Sequence, residues 1–525
     1  MGFLTNFPPF VALFRKKGRF RTGDNRKASL GLGRFEGEES DSRSEEENNG
    51  LGRRRVKTIG VTNRWLIDSY NKHVVRNNNK QQQRISKMSQ KRSQPRILSA
   101  FEIVPVRGCT QPKSSSRRPE FCECCPIPRS GHRIFADSDF VYIIGGYNPF
   151  HCPDNTYTDV WRFNRLTQLW QKCSMALHLP DSLASFALAN SSRPSECFIF
   201  GGTGVPFGAA ASNELHRVRV DSCGSVHIQS ERKRTSGQRQ DSSQDLRQGE
   251  QDDELVQQLP PRIYGHAMCQ RLERNGGKLN DVLYVAGGTT GHIYNMDIWR
   301  FERPFEQQTA WICTPLNREG FETGRYRLEI TVHGQLLYTF GGGSPEFCAE
   351  FDEILAFNLS TNRFDRIRTR PDPEFGVPLG RKCHALVQKD NLVYIIGGCR
   401  DAEAPPQNQS RSQQLFADVW QFNMDTTQWT RIKHNLAKPV FFHSATITPD
   451  GCLFVFGGCT DEASQNRCNY LQQMWLQPPS LRYLASTALL RSLQEAEIKR
   501  INREGIRLSN VEAHISRILL PTSAA

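Results

Sequence analysis

Six times between residues 141 and 458, a short run of β-branched or aromatic residues ends in a pair of glycines. The runs are VYIIGG (Gly145-Gly146), CFIFGG (Gly201-Gly202), VLYVAGG (Gly287-Gly288), LLYTFGG (Gly341-Gly342), LVYIIGG (Gly397-Gly398) and LFVFGG (Gly457-Gly458). Their spacings of 56, 86, 54, 56 and 60 residues mark one structural unit repeated along the chain. After each pair comes a variable loop, then a further strand such as DVWRFN (159–164), DIWRFE (297–302) or DVWQFN (418–423). A last aromatic follows seven residues on, Trp170 after Phe163, Phe364 after Phe357 and Trp429 after Phe422. Another strand precedes the glycines, introduced by Gly131-His132, Gly265-His266, Cys383-His384 or Phe442-His443. The unit is therefore four strands, with Gly-Gly where the second strand turns sharply and other backbone packs close.

This unit resembles the kelch repeat, and six copies imply an all-β fold, a six-bladed β-propeller. Such a ring must close. The sixth unit reaches LQQMWLQPPS (471–480) with no fourth strand after it, whereas ILSAFEIVP (97–105) precedes the first unit. Residues 97–105 are expected to supply the missing outer strand, with Phe101 in the place that Trp170 holds in the first unit. The second unit has its third strand, NELHRVRV (213–220), but no Trp after it. Residues 230–258 are polar and aperiodic and read as a disordered insertion. The expected organisation is a basic disordered tail over 1–96, the propeller over 97–477 and a helical segment over 478–525.

Charge separates these parts. The chain carries +14, and residues 1–96, with 22 Lys+Arg against 9 Asp+Glu, hold +13 of it. The propeller is nearly neutral, which argues against a phosphate-tracking nucleic-acid groove. No apolar run reaches the roughly 18 residues of a membrane span. Phe3 to Phe14 is interrupted by Pro8-Pro9 and followed, not preceded, by Arg15, Lys16 and Lys17, unlike a secretory signal. Asn6 stands where a myristoylation motif wants Ser or Thr. The expectation is a reduced, intracellular protein, cytoplasmic and nuclear, whose basic clusters at 53–55 and 91–92 could serve import.

Metal and cofactor chemistry find little support. Cys122, Cys124 and Cys125 cluster in FCECCP with no second ligand pair nearby. His132, His266, His384 and His443 recur at equivalent positions of different units, so a propeller spreads them around its ring. A structural hydrogen bond inside each blade is the expectation, with no cofactor and no catalytic constellation. Binding chemistry falls instead on the loops entering each blade and those following Gly-Gly, and the entering loops carry Arg129, Arg262 with Tyr264, Arg325-Tyr326-Arg327, Arg381-Lys382 and Phe441-Phe442. A guanidinium fork takes a carboxylate bidentately, and a peptide's terminal carboxylate is one such ligand. The same arginines could equally pair with acids such as Glu329 and Asp418 to hold the blades together.

FGGTGVPFG (200–208), PRIYGHAM (261–268), GGTTGHIY (287–294), RYRLEI (325–330), RKCHALV (381–387) and PVFFHSATITPDGCLFVFGG (439–458) resemble the kelch-repeat substrate receptors of cullin-2 ubiquitin ligases. The resemblance implies a non-catalytic subunit that recognises extreme C-termini, especially Gly- or Ala-ending tails. On that reading Arg327 and Arg381 would hold the carboxylate, Arg325 and Arg262 would assist, and Tyr264 and Tyr326 would flank the last residues.

The C-terminal segment adds to it. Ser480 can cap a helix running to Gly505, with Leu481, Leu484, Ala485, Ala488 and Leu489 as an apolar stripe. Ser480-Leu481-x-x-x-Ala485-x-x-x-Leu489 resembles the box that docks on Elongin C, which implies contacts through Leu481, Leu484, Ala485 and Leu489. Ser509-x-x-Glu512 opens a second helix in which Val511, Ile515 and Leu519 fit a cullin-2 box, although Glu512 replaces its usual proline. The implied partners are Elongin B, Elongin C, and cullin-2 with its RING subunit. The rival reading is a cytoskeletal, actin-binding scaffold. A copper oxidase comes third, because its ligands would have to converge on one point.

Overall fold

The computed structural model describes residues 100–105, 124–152, 154–235, 259–275, 278–303, 310–317, 323–401, 413–491 and 493–505. The basic tail over 1–96 and the cullin-2 residues Val511, Ile515 and Leu519 lie outside the described residues.

Six antiparallel blades follow one another. The first is Arg133–Ala136, Phe140–Ile144, Val160–Asn164 and Leu169–Lys172 in that order from the axis outward. The fourth and fifth repeat it over Glu329–Arg368 and Ala385–Arg431. The sixth, Ser444–Ile447, Cys452–Phe456 and Leu471–Trp475, takes its outer strand from Glu102–Ile103, paired antiparallel with Gln472 and Gln473. The innermost strands neighbour one another in sequence order and the sixth touches the first, so the ring is closed. This is an all-β, six-bladed propeller.

The runs before each Gly-Gly are continuously apolar because both faces of each second strand are buried. In Phe140–Ile144 all five residues are buried. Phe140, Tyr142 and Ile144 pack with Leu183, Phe186 and Ile199 of the second blade. Val141 and Ile143 face the other way, with Phe454 and Phe456 of the sixth. Every junction between successive blades repeats this arrangement, so the core is distributed around the ring. Phe101 is buried between blades five and six with Tyr394, Leu453 and Met474.

Two closed circles of backbone hydrogen bonds tie the blades at one end of the strands. In the inner circle the N–H of Gly131 donates to Phe442, Phe442 to Cys383, Cys383 to Arg327, Arg327 to Gly265, Gly265 to Ser185 and Ser185 back to Gly131, at 2.7–3.3 Å. All six residues have φ between 54° and 66°. In the outer circle the second glycine of each pair donates to the next blade, as from Gly146 to Leu183 at 2.7 Å and from Gly458 to Arg129 at 2.9 Å. The first glycine explains its own invariance within the repeat. A Cβ on Gly341, at φ +57°, would stand 2.5 Å from the Arg381 carbonyl oxygen of the next blade.

Three expectations need correction. Residues 230–235 do not belong to an insertion: they finish the strand Ser225–Thr235, the outer strand of blade two. This strand outlasts its own blade and pairs in parallel with Ala310–Cys313 of blade three, joining two blades into one sheet. The pairing satisfies backbone groups that a polar, aperiodic sequence does not advertise. The histidine bonds run between blades rather than within them, because His132 Nε2 meets Phe456 O at 3.0 Å and His266 Nε2 meets Phe200 O at 3.1 Å. Finally, the single helix expected over 481–504 is two, α1 (Leu481–Arg491) and α2 (Glu495–Arg503). The break lets both Leu490 and Ile501 reach Leu166 on blade one, which a straight rod could not do.

Cys173, Cys197, Cys313, Cys383, Cys399 and Cys452 are buried free thiols. No group of His, Cys, Asp and Glu suited to a metal occurs among the described residues. No helix there is long and apolar enough to cross a membrane.

Candidate functional site

In an antiparallel blade successive connections alternate between the two ends of the strands. The loops entering the blades and those after Gly-Gly therefore open on one face, and the hairpins between strands one and two or three and four on the other. The first face carries the binding candidates. The second carries the helices.

Two of the expected arginines are structural. Arg381 is fully buried, with Nη1 and Nη2 on Asp418 at 2.6 and 3.1 Å, Nη1 on Gly397 O and Nε on Leu379 O. Its guanidinium also lies 4.1 Å from the Phe416 ring centre. Arg129 repeats the arrangement in blade one with Asp159, Gly145 O, Ile127 O and Tyr157. Burial works against the Asp418 carboxylate, but Arg381 and Trp420 outweigh it and hold its pKa below the usual range. Fully buried and with four of its five N–H donors engaged, Arg381 is thus withdrawn from the ligand set.

Arg327 is placed differently. Its Nη2 donates to Ser185 Oγ of blade two, and its guanidinium lies 4.3 Å from the Phe442 ring of blade six and 4.9 Å from the Tyr326 ring. No acid pairs with it among the described residues, and its Nε is buried without a partner. It lines the channel with Arg133 and Glu329, whose ion pair of 2.6 Å spans blades one and four. Two cations and one carboxylate leave this mouth a net positive charge. His132, His384 and His443, also on its wall, are neutral near pH 7, because burial holds each well below an ordinary imidazole.

Around Arg327 runs an arc of edge-to-face rings: Tyr147 to Phe207 at 5.1 Å, Phe207 to Tyr264 at 6.5 Å, Tyr264 to Tyr326 at 5.8 Å and Tyr326 to Tyr294 at 6.1 Å. Tyr264 and Tyr326 thus come together as expected. Arg325 reaches Thr339 Oγ1 at 3.4 Å, and Arg262 is exposed at the rim. Tyr147, Phe207, Tyr294, Arg133 and Ser185 were not among the expected residues. For the first three the signal existed, because each sits in a loop just after a Gly-Gly pair. Nothing in the sequence pointed to Arg133 or Ser185, whose roles come from blades across the ring.

On the opposite face, Ser480 Oγ accepts the Tyr483 N–H at 3.1 Å and caps α1. Tyr483 packs edge-on to Trp475 at 5.1 Å, Leu490 and Ile501 are buried with Leu166, and Asn502 meets Thr167 Oγ1 at 3.2 Å. This fastens the helices by Tyr483, Ser486 and Leu490. Leu481 is left 83% exposed and Leu484 47% exposed, with Ala485 and Ala488 beside them. Leu489 departs from the expected outward stripe, since it is partly buried against the Leu166 cluster.

The comparisons agree with this architecture. Residues 250–458 match the family model described as the KLHDC2/KLHL20/DRC7 Kelch-repeats domain. Kelch domain-containing protein 10 of Rattus norvegicus is 32% identical over 375 residues, which span 70% of this chain and 80% of the relative. The chain belongs to the kelch domain-containing protein 10 family. The Homo sapiens member is also 32% identical, over 373 residues and 74% of its length. The Drosophila melanogaster homolog is 30% identical over 382 residues, 56% of its length. As a kelch-type family member the chain shares a scaffold whose variable loops gather on one face.

Proposed function

We propose that this protein is a non-catalytic substrate receptor, holding C-terminal protein tails at the Arg327 mouth and recruiting a cullin-2 ligase through Elongin B and C. One observation carries the reading: α1 is anchored by one side and leaves Leu481, Leu484, Ala485 and Ala488 exposed on the face opposite the mouth. A receptor needs such a division, because ligase and substrate must be held at once without competing for surface. The mouth supports the other half. Arg327 lines the channel with no carboxylate partner among the described residues, and the Tyr264–Tyr326 pair stands beside it. Small last residues, Gly or Ala, suit a site walled by rings. Arg325 and Arg262 would assist from the rim, and Arg381 has no part in it.

The test is co-expression of the full chain with Elongin B and Elongin C, followed by size-exclusion chromatography. Co-elution that Leu481→Arg abolishes supports the receptor reading. A wild-type chain that elutes alone would sink it and return the scaffold reading to first place. The tail site is tested separately with a Gly-ending peptide, whose affinity should fall at least tenfold when the terminus is amidated or Arg327 becomes Gln.

A further inference from the structure

Two thiols stand together at the channel mouth. Cys383 is one of the six left-handed residues of the inner hydrogen-bonded circle, and Cys399 is the residue after Gly397-Gly398. Their backbones are held side by side, because Lys382 N donates to Cys399 O at 2.8 Å and Cys399 N to Lys382 O at 3.0 Å. The two side chains share one small cluster with Phe441 and Cys459. Cys383 also lines the channel cavity beside Arg327 and Phe442, whereas Cys399 is fully buried behind it. The propeller does not require a thiol at either place. Equivalent positions in other blades carry Gly131, Ser185 and Arg327 in the circle, and Tyr147, Thr203 and Thr289 after the glycines.

We propose that Cys383 and Cys399 form a dithiol site that peroxide converts reversibly to a disulfide. The geometry assigns the roles. Cys383, which faces the cavity, is the attacking sulfur, and Cys399, behind it, is the resolving one. The Cys383 thiolate attacks one peroxide oxygen and the O–O bond breaks, giving a sulfenic acid and releasing water once the leaving oxygen takes a proton. The Cys399 sulfur then attacks the sulfenic sulfur, the S–S bond forms, and a second water leaves. Two electrons pass from the sulfurs to the peroxide, and a dithiol reductant returns them by exchange.

The electrostatics fit this order. Burial opposes a thiolate at Cys383, but the Cys399 hydrogen bond with the Arg327 and Lys382 cations outweighs it and brings its pKa below that of an ordinary thiol. Asp401 acts against them and is itself engaged by Lys382 at 2.7 Å. Cys399 keeps its proton, because sharing it with Cys383 and its own burial both raise its pKa. The attacking thiol is thus the one poised to ionise, the condition for thiol reactivity. The inference stands apart from the proposed ligand, since it concerns only the sulfurs.

The experiment uses the full, freshly reduced chain under native conditions. A small excess of hydrogen peroxide should remove the mass of two hydrogens and join tryptic peptides 383–389 and 390–400, and dithiothreitol should separate them again. In Cys399→Ser the sulfenic acid has no resolving partner, so dimedone should label Cys383. Iodoacetamide should alkylate Cys383 about tenfold faster than the fully buried Cys197. Peptides that stay apart, a cross-link of Cys383 to Cys459, a Cys399→Ser chain that takes no dimedone, or equal alkylation rates would each overturn the proposal. The first arm needs no substitution, so a variant that fails to fold does not spare it.

Discussion

Arg133 of the first blade and Glu329 of the fourth meet inside the channel, Nη1 to Oε1 at 2.6 Å, although 196 residues separate them in the chain. Each stands at one end of an innermost strand, and Arg133 Nε also donates to Phe186 O of blade two at 3.0 Å. The pair joins three blades across a space where backbone hydrogen bonds cannot reach. Both side chains are mostly buried, so removing one partner leaves a charge poorly solvated. Glu329→Gln should lower stability by about 1–3 kcal/mol, and Arg133→Met with Glu329→Leu should recover most of it. Urea unfolding of the full chain measures this. A single variant as stable as wild type would show that the pair adds nothing.

The glycine pairs predict a contrast between two substitutions at the same kind of backbone. Gly341→Ala meets the Arg381 oxygen at 2.5 Å and His384 Cε1 at 2.7 Å, whereas Gly376, also left-handed at φ +74°, has nothing within 4 Å of a built Cβ. Gly376→Ala should cost about 1 kcal/mol, the backbone contribution alone. Gly341→Ala should cost about 3 kcal/mol or more, because the clash adds to it. Similar melting temperatures for the two variants would show that close approach is not what demands Gly-Gly.

Histidine burial sets a pH response. His132, His266, His384 and His443 are all buried, with His266 and His443 lowered to about 3 by desolvation above all. A depressed folded pKa means that the unfolded chain takes up protons first, from about pH 6.5 downward. The stability due to neutral histidine is therefore complete above that pH and is lost as pH falls toward 3, by about 1.4 kcal/mol per unit for each residue. Urea midpoints at pH 7.5 and 5.5 should differ accordingly, and His266→Gln should flatten the slope. An unchanged slope in that variant would contradict the assignment.

The C-terminal helix and the closing strand separate surface from core. Leu481→Arg should leave the melting temperature unchanged, since the side chain is 83% exposed. Phe101→Ala should cost about 3 kcal/mol, since that ring is 6% exposed between blades five and six. Thermal unfolding of both variants checks the pair. A destabilised Leu481→Arg would mean that α1 packs by its outer stripe, against the arrangement described.

Arg381 and Arg327 show how far the sequence could be read. Both follow the repeat phase into the same rim, and both suit a carboxylate. Only the structure separates them, because Arg381 has Asp418 two residues before Trp420 within its own blade, whereas Arg327 faces Ser185 and Phe442 of distant blades. With hindsight the Asp-x-Trp of strand three was a signal for the first. No local pattern announces the second. The end of the strand Ser225–Thr235 was hidden for a similar reason, as Arg232–Thr235 pairs with Ala310–Cys313 of another blade.

The repeat by itself determined the six blades, the four-stranded unit they share and the closing strand near Glu102–Ile103, but not the outer strand of blade two. Those depend on short continuous apolar runs and on the glycines at positive φ that end them, which are local properties of the chain. The tertiary structure alone decided which arginine is spent, which rings form the arc, which side of α1 faces outward and which cysteines touch. Those depend on distances between blades far apart in sequence, which appear only once the ring has closed.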